Sequence, residues 1–193
     1  MRILQDDPRG AGDALAKVAF SPSERPAVRG VALVGLARYP RAEYRVQIEQ
    51  ATGDPLPEIR TVAATTLGTY DDDAACDRLG AMVLETPDPD PAVRIGAVQG
   101  LGRSKCLKAL AWLVRIAERE SDPAVHRSAV VAAYAKVSRN YYLGESESAT
   151  EIKRRIAAEY LKGDLTVQEA YRQAAWPLER HPEILPPSLH RMK

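Results

Sequence analysis

Four segments of this chain repeat one pattern, in which a proline is followed by small or apolar residues at every fourth position. The prolines stand 31 to 34 residues apart, at Pro26, Pro57, Pro91 and Pro123. Offsets two, six and ten after each proline hold Val28, Ala32 and Leu36; Ile59, Ala63 and Leu67; Val93, Ala97 and Leu101; and Val125, Ala129 and Ala133. Residues four apart share one face of an α-helix, so each segment predicts a helix with a buried stripe.

The residues around these stripes predict where the helices begin and how closely they pack. Proline is favoured at the first helical position, and Asp90 and Asp122, directly before two of the prolines, are expected N-caps. Gly96 and Gly100 lie inside the third segment, where each costs about 1 kcal/mol relative to alanine. We expect their missing side chains to let a neighbouring helix approach closely.

Further segments with helical apolar periodicity alternate with the proline-opened ones. They cover 14–20, 41–51, 73–86 and 106–120. Alternation of the two kinds of segment predicts stacked helical hairpins, in which each layer covers the apolar face of the next.

The pattern resembles the HEAT-repeat family, particularly its short bacterial-style repeats. The matching residues are "PAVR" at 26–29, "PEIR" at 57–60, "DPAVR" at 90–94 and "DPAVH" at 122–126. The resemblance implies an all-α fold, a right-handed α-solenoid of about four HEAT-like hairpins over residues 13–140, in which the proline opens the second helix of each hairpin. Two positions depart from the pattern: Arg25 replaces the N-cap aspartate, and His126 replaces the recurrent arginine.

Residues beyond the repeats leave the period. Two capping-box matches, Ser148 with Glu151 and Thr166 with Glu169, predict two helices that form a C-terminal cap over residues 141–178. The proline-rich end, residues 179–193, is expected to be an extended or disordered tail.

One basic column recurs with the repeat, and it has two interpretations. It comprises Arg29, Arg60, Arg94 and, in the fourth copy, His126. As a structural ladder, these side chains would pair with acidic residues of the turns, for which Asp54, Asp88, Asp90 and Asp122 are available. As a phosphate-binding ladder, they would contact nucleic acid. The structural ladder is favoured.

Offsets four and eight predict the partner-binding surface. If the proline-opened helices line the concave side, as the resemblance implies, the groove holds Gly30, Val34, Thr61, Thr65, Ile95, Gln99, Arg127 and Val131. With one charge among eight residues, this groove suits a protein helix or an extended peptide better than a nucleic-acid backbone. Ile95, off the buried stripe, is expected to be an exposed apolar anchor at its centre.

No catalytic, metal or cofactor motif occurs in the sequence. The three histidines lack metal-ligand spacing, and neither Cys76 nor Cys106 has a CxxC partner, so both cysteines are interpreted as core residues. The net charge of +1 gives no overall attraction to nucleic acid or anionic lipid. Because no stretch of 18 apolar residues and no signal-like N-terminus occurs, we expect a cytoplasmic protein without a membrane contact.

Three functions are compatible with these observations. The leading hypothesis is a non-enzymatic adaptor that holds a protein partner in the concave groove; the sequence leaves its oligomeric state open. Resemblance to HEAT-like proteins also allows an accessory protein for bilin attachment, or a nucleic-acid binder related to HEAT-like DNA glycosylases. The last alternative is disfavoured because Trp112 is expected on the first helix of its hairpin, away from the groove.

Overall fold

A computed structural model describes residues 8–139 of the 193-residue chain. These residues form eight helices and no strand: α1 (Pro8–Ala19), α2 (Pro26–Leu36), α3 (Ala42–Ala51), α4 (Pro57–Leu67), α5 (Asp73–Leu84), α6 (Pro91–Arg103), α7 (Leu107–Arg119) and α8 (Pro123–Arg139). The predicted all-α solenoid of four hairpins is confirmed over this range. The predicted cap and tail, residues 141–178 and 179–193, lie outside the described residues.

The helices lie in two rows. The even-numbered helices α2, α4, α6 and α8 pack successively against one another, and each also packs on the odd-numbered helix before it. In the odd-numbered row α7 packs on α5, and Arg45 of α3 donates two hydrogen bonds to the carboxylate of Asp72, the N-cap of α5. Each hairpin therefore contacts its neighbours along the stack, as in other solenoids.

The even-numbered helices begin as the sequence predicts. Each starts at its repeat proline, and the carboxylates of Asp90 and Asp122 accept hydrogen bonds from the backbone of Ala92 and Ala124, at 2.8 and 2.9 Å. Arg25, which replaces aspartate before α2, makes no side-chain cap. The N-terminal end of α2 thus lacks the local hydrogen bond that fixes α6 and α8.

The repeat stripe forms the core, with one exception. Its residues at offsets two, six and ten are buried in α4, α6 and α8. In α2, Ala32 and Leu36 are buried but Val28 is 41% exposed. Offset two faces the preceding even-numbered helix, as Ile59 of α4 faces α2, and none precedes α2 among the described helices.

The helix α1 begins earlier than the apolar periodicity predicts, at Pro8 rather than near residue 14. Its first turns bury only small residues, Ala11 and Gly12, which contribute little to a hydrophobic pattern. A Cβ atom at Gly12 would lie 2.9 Å from the Tyr44 hydroxyl, so this small residue lets α3 pack against α1.

The two glycines singled out from the sequence lie where α6 approaches α4. A Cβ atom at Gly96 would lie 2.9 Å from the carbonyl oxygen of Thr61, and one at Gly100 would lie 2.6 Å from that of Ala64. The expected close packing is confirmed, since any side chain at Gly100 would have to displace the backbone of α4.

Candidate functional site

An open apolar groove lies between α2 and α4, which we call the α2–α4 groove. Its volume is about 590 Å³, and it is lined by Pro26, Ala27, Gly30, Val31, Val34, Leu56, Glu58, Ile59 and Val62. Glu58, at the exposed start of α4, is the only ionisable residue among them. The groove therefore offers aliphatic surface with one negative charge at one end.

Two exposed valines of α2 make one side of the groove apolar. Val31 is 74% exposed and Val34 is 59% exposed, although the same helix buries Ala32, Leu33 and Leu36. They lie three residues apart and so present neighbouring side chains on one face. Isolated exposed valines are common on protein surfaces, whereas an apolar pair beside an open apolar groove is a typical binding feature.

The groove exists because α2 lies farther from α4 than α6 does at the equivalent repeat position. A Cβ atom at Gly30 would meet only the Val62 side chain, at 4.0 Å, whereas Gly96 and Gly100 lie against the backbone of α4. Glycine therefore allows a tight contact between α6 and α4, but leaves open space between α2 and α4.

The eight predicted groove residues differ in their surroundings, and only two of them line the α2–α4 groove. Gly30 and Val34 line the α2–α4 groove. Thr61 and Thr65 are half-buried, and their hydroxyls donate to carbonyl oxygens of their own helix at 2.9 Å. In the last two even-numbered helices, Gln99 is exposed, while Arg127 and Val131 are half-buried.

The expectation that Ile95 is an exposed anchor is wrong. Ile95 is half-buried and packs against the hydrophobic core. Its helical phase was placed correctly off the buried stripe, but the side chain still packs against the core. Ile95 therefore packs partly on the core, and a contact between Ile95 and a partner stays a prediction.

Sequence reasoning missed Val31 and Val62, which both stand at offset five. A helix turns by about 100° per residue, so offset eight lies between offsets four and five on the helix surface. Offset five thus belongs to the same face as the predicted groove positions. This signal was available in the sequence.

The arginine column is engaged by acidic side chains. Arg29 binds Asp54 at 2.5 Å, Arg60 binds Asp88 through two hydrogen bonds of 2.7 and 2.9 Å, and Arg94 lies 3.3 Å from Glu120 and 3.6 Å from Asp122. We call these three pairings the arginine ladder. Each joins an even-numbered helix to the loop before the next one, so these guanidinium groups already have anionic partners. His126, the fourth member of the column, is half-buried.

The family model for HEAT repeats matches residues 12–90 and 82–162. The chain belongs to the HEAT-repeat family. No curated protein matches it significantly.

HEAT repeats are helical scaffolds that commonly mediate protein interactions. In residues 8–139, no group of three His, Cys, Asp or Glu side chains could hold a metal ion. Over the same range, no helix combines the length and hydropathy that a membrane span requires.

Trp112 serves the packing of the odd-numbered row. It is buried, and its Nε1 donates a 3.0 Å hydrogen bond to Asp77 of α5. A Cβ atom at Gly80 would overlap its indole ring at 2.1 Å, so the ring occupies the space that this glycine leaves. The Trp112 side chain is thus committed to the contact between α5 and α7, outside the α2–α4 groove.

Proposed function

We propose that this HEAT-repeat protein is a non-enzymatic adaptor that binds a short apolar segment of a protein partner in the α2–α4 groove. The observation that carries the proposal is the exposure of Val31 and Val34 beside an open space of about 590 Å³. Contiguous exposed apolar surface is a liability in a soluble protein unless a partner covers it.

The chemistry of the groove favours an amphipathic helix or an extended peptide. Aliphatic side chains of the partner would fill the space above Gly30 and pack on Val31, Val34 and Val62. Glu58 at the rim favours a lysine or arginine beside those anchors. The rest of the lining offers no charge that would attract a polyanion.

A peptide-display selection on the full chain tests this function. Peptides of about 15 residues that bind the chain would be recovered, and their Kd measured by fluorescence anisotropy. We expect aliphatic anchors in the selected sequences. Val31→Asp and Val34→Asp should each weaken binding about 30-fold, as expected for an anchor worth about 2 kcal/mol.

Val46→Asp is the matched control. Val46 is 51% exposed on α3 and does not line the groove. This variant should bind the selected peptides as the parent does, with unchanged helicity and melting temperature in all three variants. Equal loss of binding in Val46→Asp and Val31→Asp, or full binding by both groove variants, would place the interaction elsewhere.

A further inference from the structure

Two cysteines that are 30 positions apart in the sequence meet at one point between α5, α6, α7 and α8. Cys76 lies in the first turn of α5 and Cys106 is the N-cap of α7. The hydroxyl of Ser104 lies 3.5 Å from Cys76 Sγ and accepts a 3.1 Å hydrogen bond from the backbone of Cys106. The Ser104 hydroxyl therefore contacts both cysteines. With Lys136, these residues form what we call the cysteine cluster.

The two thiols differ in their access to solvent. Cys76 is completely buried, and burial raises the pKa of its thiol to about 11. Cys106 is half-buried, and its thiol donates a 3.0 Å hydrogen bond to the exposed carboxylate of Asp73. A reagent in solution therefore meets Cys106 before the buried Cys76.

The cysteine cluster also contains a buried lysine, Lys136, which is unusual in a protein core. It is only 5% exposed, and its ammonium donates to the carbonyl oxygens of Leu101 and Ser104 at the end of α6. Burial lowers its pKa, while the nearby thiols favour its charged form. The charge of Lys136 opposes the effect of burial on Cys76, whose thiol pKa nevertheless stays raised.

We propose that Cys76 and Cys106 are a redox-active pair that forms a reversible disulfide on exposure to a hydroperoxide. The Cys106 sulfur attacks the peroxide oxygen, so that the O–O bond breaks, an alcohol or water leaves, and Cys106 becomes a sulfenic acid. The Cys76 sulfur then attacks the Cys106 sulfur, the S–O bond breaks, and the hydroxyl leaves as water with the Cys76 proton. The two thiols have then lost two electrons to the peroxide, and a dithiol reductant restores them by exchange.

Treatment of the reduced full chain with one equivalent of hydrogen peroxide tests the proposal. After unfolding in urea and alkylation with iodoacetamide, intact mass spectrometry should show loss of two hydrogen atoms and no alkylated cysteine. Peptide mapping should link Cys76 to Cys106 in a monomer on a non-reducing gel, and dithiothreitol should restore both thiols. Since the bond joins α5 to α7 across about 30 residues, the melting temperature should rise by several degrees.

Single-cysteine variants separate the two roles. In Cys76→Ser, the Cys106 sulfenic acid should accumulate and be trapped by dimedone. In Cys106→Ser, the buried Cys76 should stay reduced at the same dose. The proposal is overturned if both thiols of the parent remain alkylatable, if Cys106 proceeds to sulfinic acid while Cys76 stays free, or if the disulfide joins two chains. The result for the parent chain decides this even if a variant folds poorly.

Discussion

At the scale of single residues, glycine shows what the sequence could and could not predict. The spacing of Gly96 and Gly100 beside the buried stripe predicted a close helix contact, which the structure contains. The same pattern gave no means to recognise that Gly30 has open space beside it. Its environment depends on the distance between α2 and α4, which side chains elsewhere in both helices determine. Ile95 was misplaced for the same reason, since helical phase fixes a direction and not a depth of burial.

The two glycine environments predict opposite effects of adding a side chain. Gly100→Leu should lower the free energy of unfolding by about 1–3 kcal/mol, because the added atoms collide with the Ala64 carbonyl of α4. Gly30→Ala should raise it by about 0.5–1 kcal/mol, because alanine is the better helix former and has room. Urea unfolding followed by circular dichroism measures both. A Gly100→Leu protein as stable as its parent would contradict this prediction and show that α4 and α6 can move apart at little cost.

At the scale of helices and their loops, the sequence revealed the arginine column but not every partner. Asp54 and Asp88 pair with Arg29 and Arg60, as their positions suggested. Asp90 instead accepts from the backbone two residues later and caps α6. Asp122, also directly before a helix-opening proline, both caps α8 and lies 3.6 Å from Arg94, so the position in the sequence does not decide between the two roles. Glu120, which binds Arg94, was not predicted because its role depends on how the loop before α8 folds.

The Arg60–Asp88 pair is expected to stabilise the contact between repeats. Both side chains are largely buried and joined by two hydrogen bonds. A double-mutant cycle with Arg60→Ala and Asp88→Ala should therefore give a coupling energy of about 1–3 kcal/mol at pH 7. The exposed Lys105–Asp71 pair, with its atoms 3.8 Å apart and Lys105 89% exposed, is the control. Its coupling should be below about 0.5 kcal/mol.

The same pair predicts a dependence on pH. Burial alone would raise the pKa of Asp88, but the hydrogen bonds from Arg60 and the Asp90 backbone, together with the charges of Arg60 and Arg94, hold the pKa below 3.8. Because the folded protein binds this proton less readily than the unfolded chain, the contribution is complete above pH 3.8 and is lost as the pH falls further. The coupling energy should therefore shrink in urea titrations below that pH. A coupling that is constant down to acid unfolding would indicate packing rather than charge.

At the scale of the whole molecule, the sequence repeat predicted the stack of hairpins. The position of the groove depends on the distances between neighbouring even-numbered helices. Four in-phase copies identified the two rows of helices and their buried faces. The binding surface was predicted to run evenly along the even-numbered helices. The structure instead concentrates open apolar surface between α2 and α4, where the row begins among the described helices. The repeat pattern could not predict this position, because the four sequence copies resemble one another while the distances between their helices differ.

The distribution of charge over the whole molecule predicts how salt affects its interactions. The net charge is +1, the arginine ladder is paired with carboxylates, and Glu58 is the only ionisable residue lining the groove. Binding of a selected, uncharged peptide should therefore change by less than about twofold between 50 and 200 mM salt. A protein that contacts several phosphates would lose about a thousandfold or more over that range.

Fluorescence anisotropy on the full chain measures this with the peptide and with a duplex DNA of about 20 base pairs. We expect the DNA to remain unbound at about 50 mM salt, because the net charge is only +1 and the recurrent arginines are paired with carboxylates. Glu58→Gln is the internal control: it should leave the affinity for an uncharged peptide unchanged and weaken a peptide with a basic residue beside its anchors. Tight DNA binding that disappears with salt would instead assign the protein a basic surface outside the groove and favour the nucleic-acid alternative.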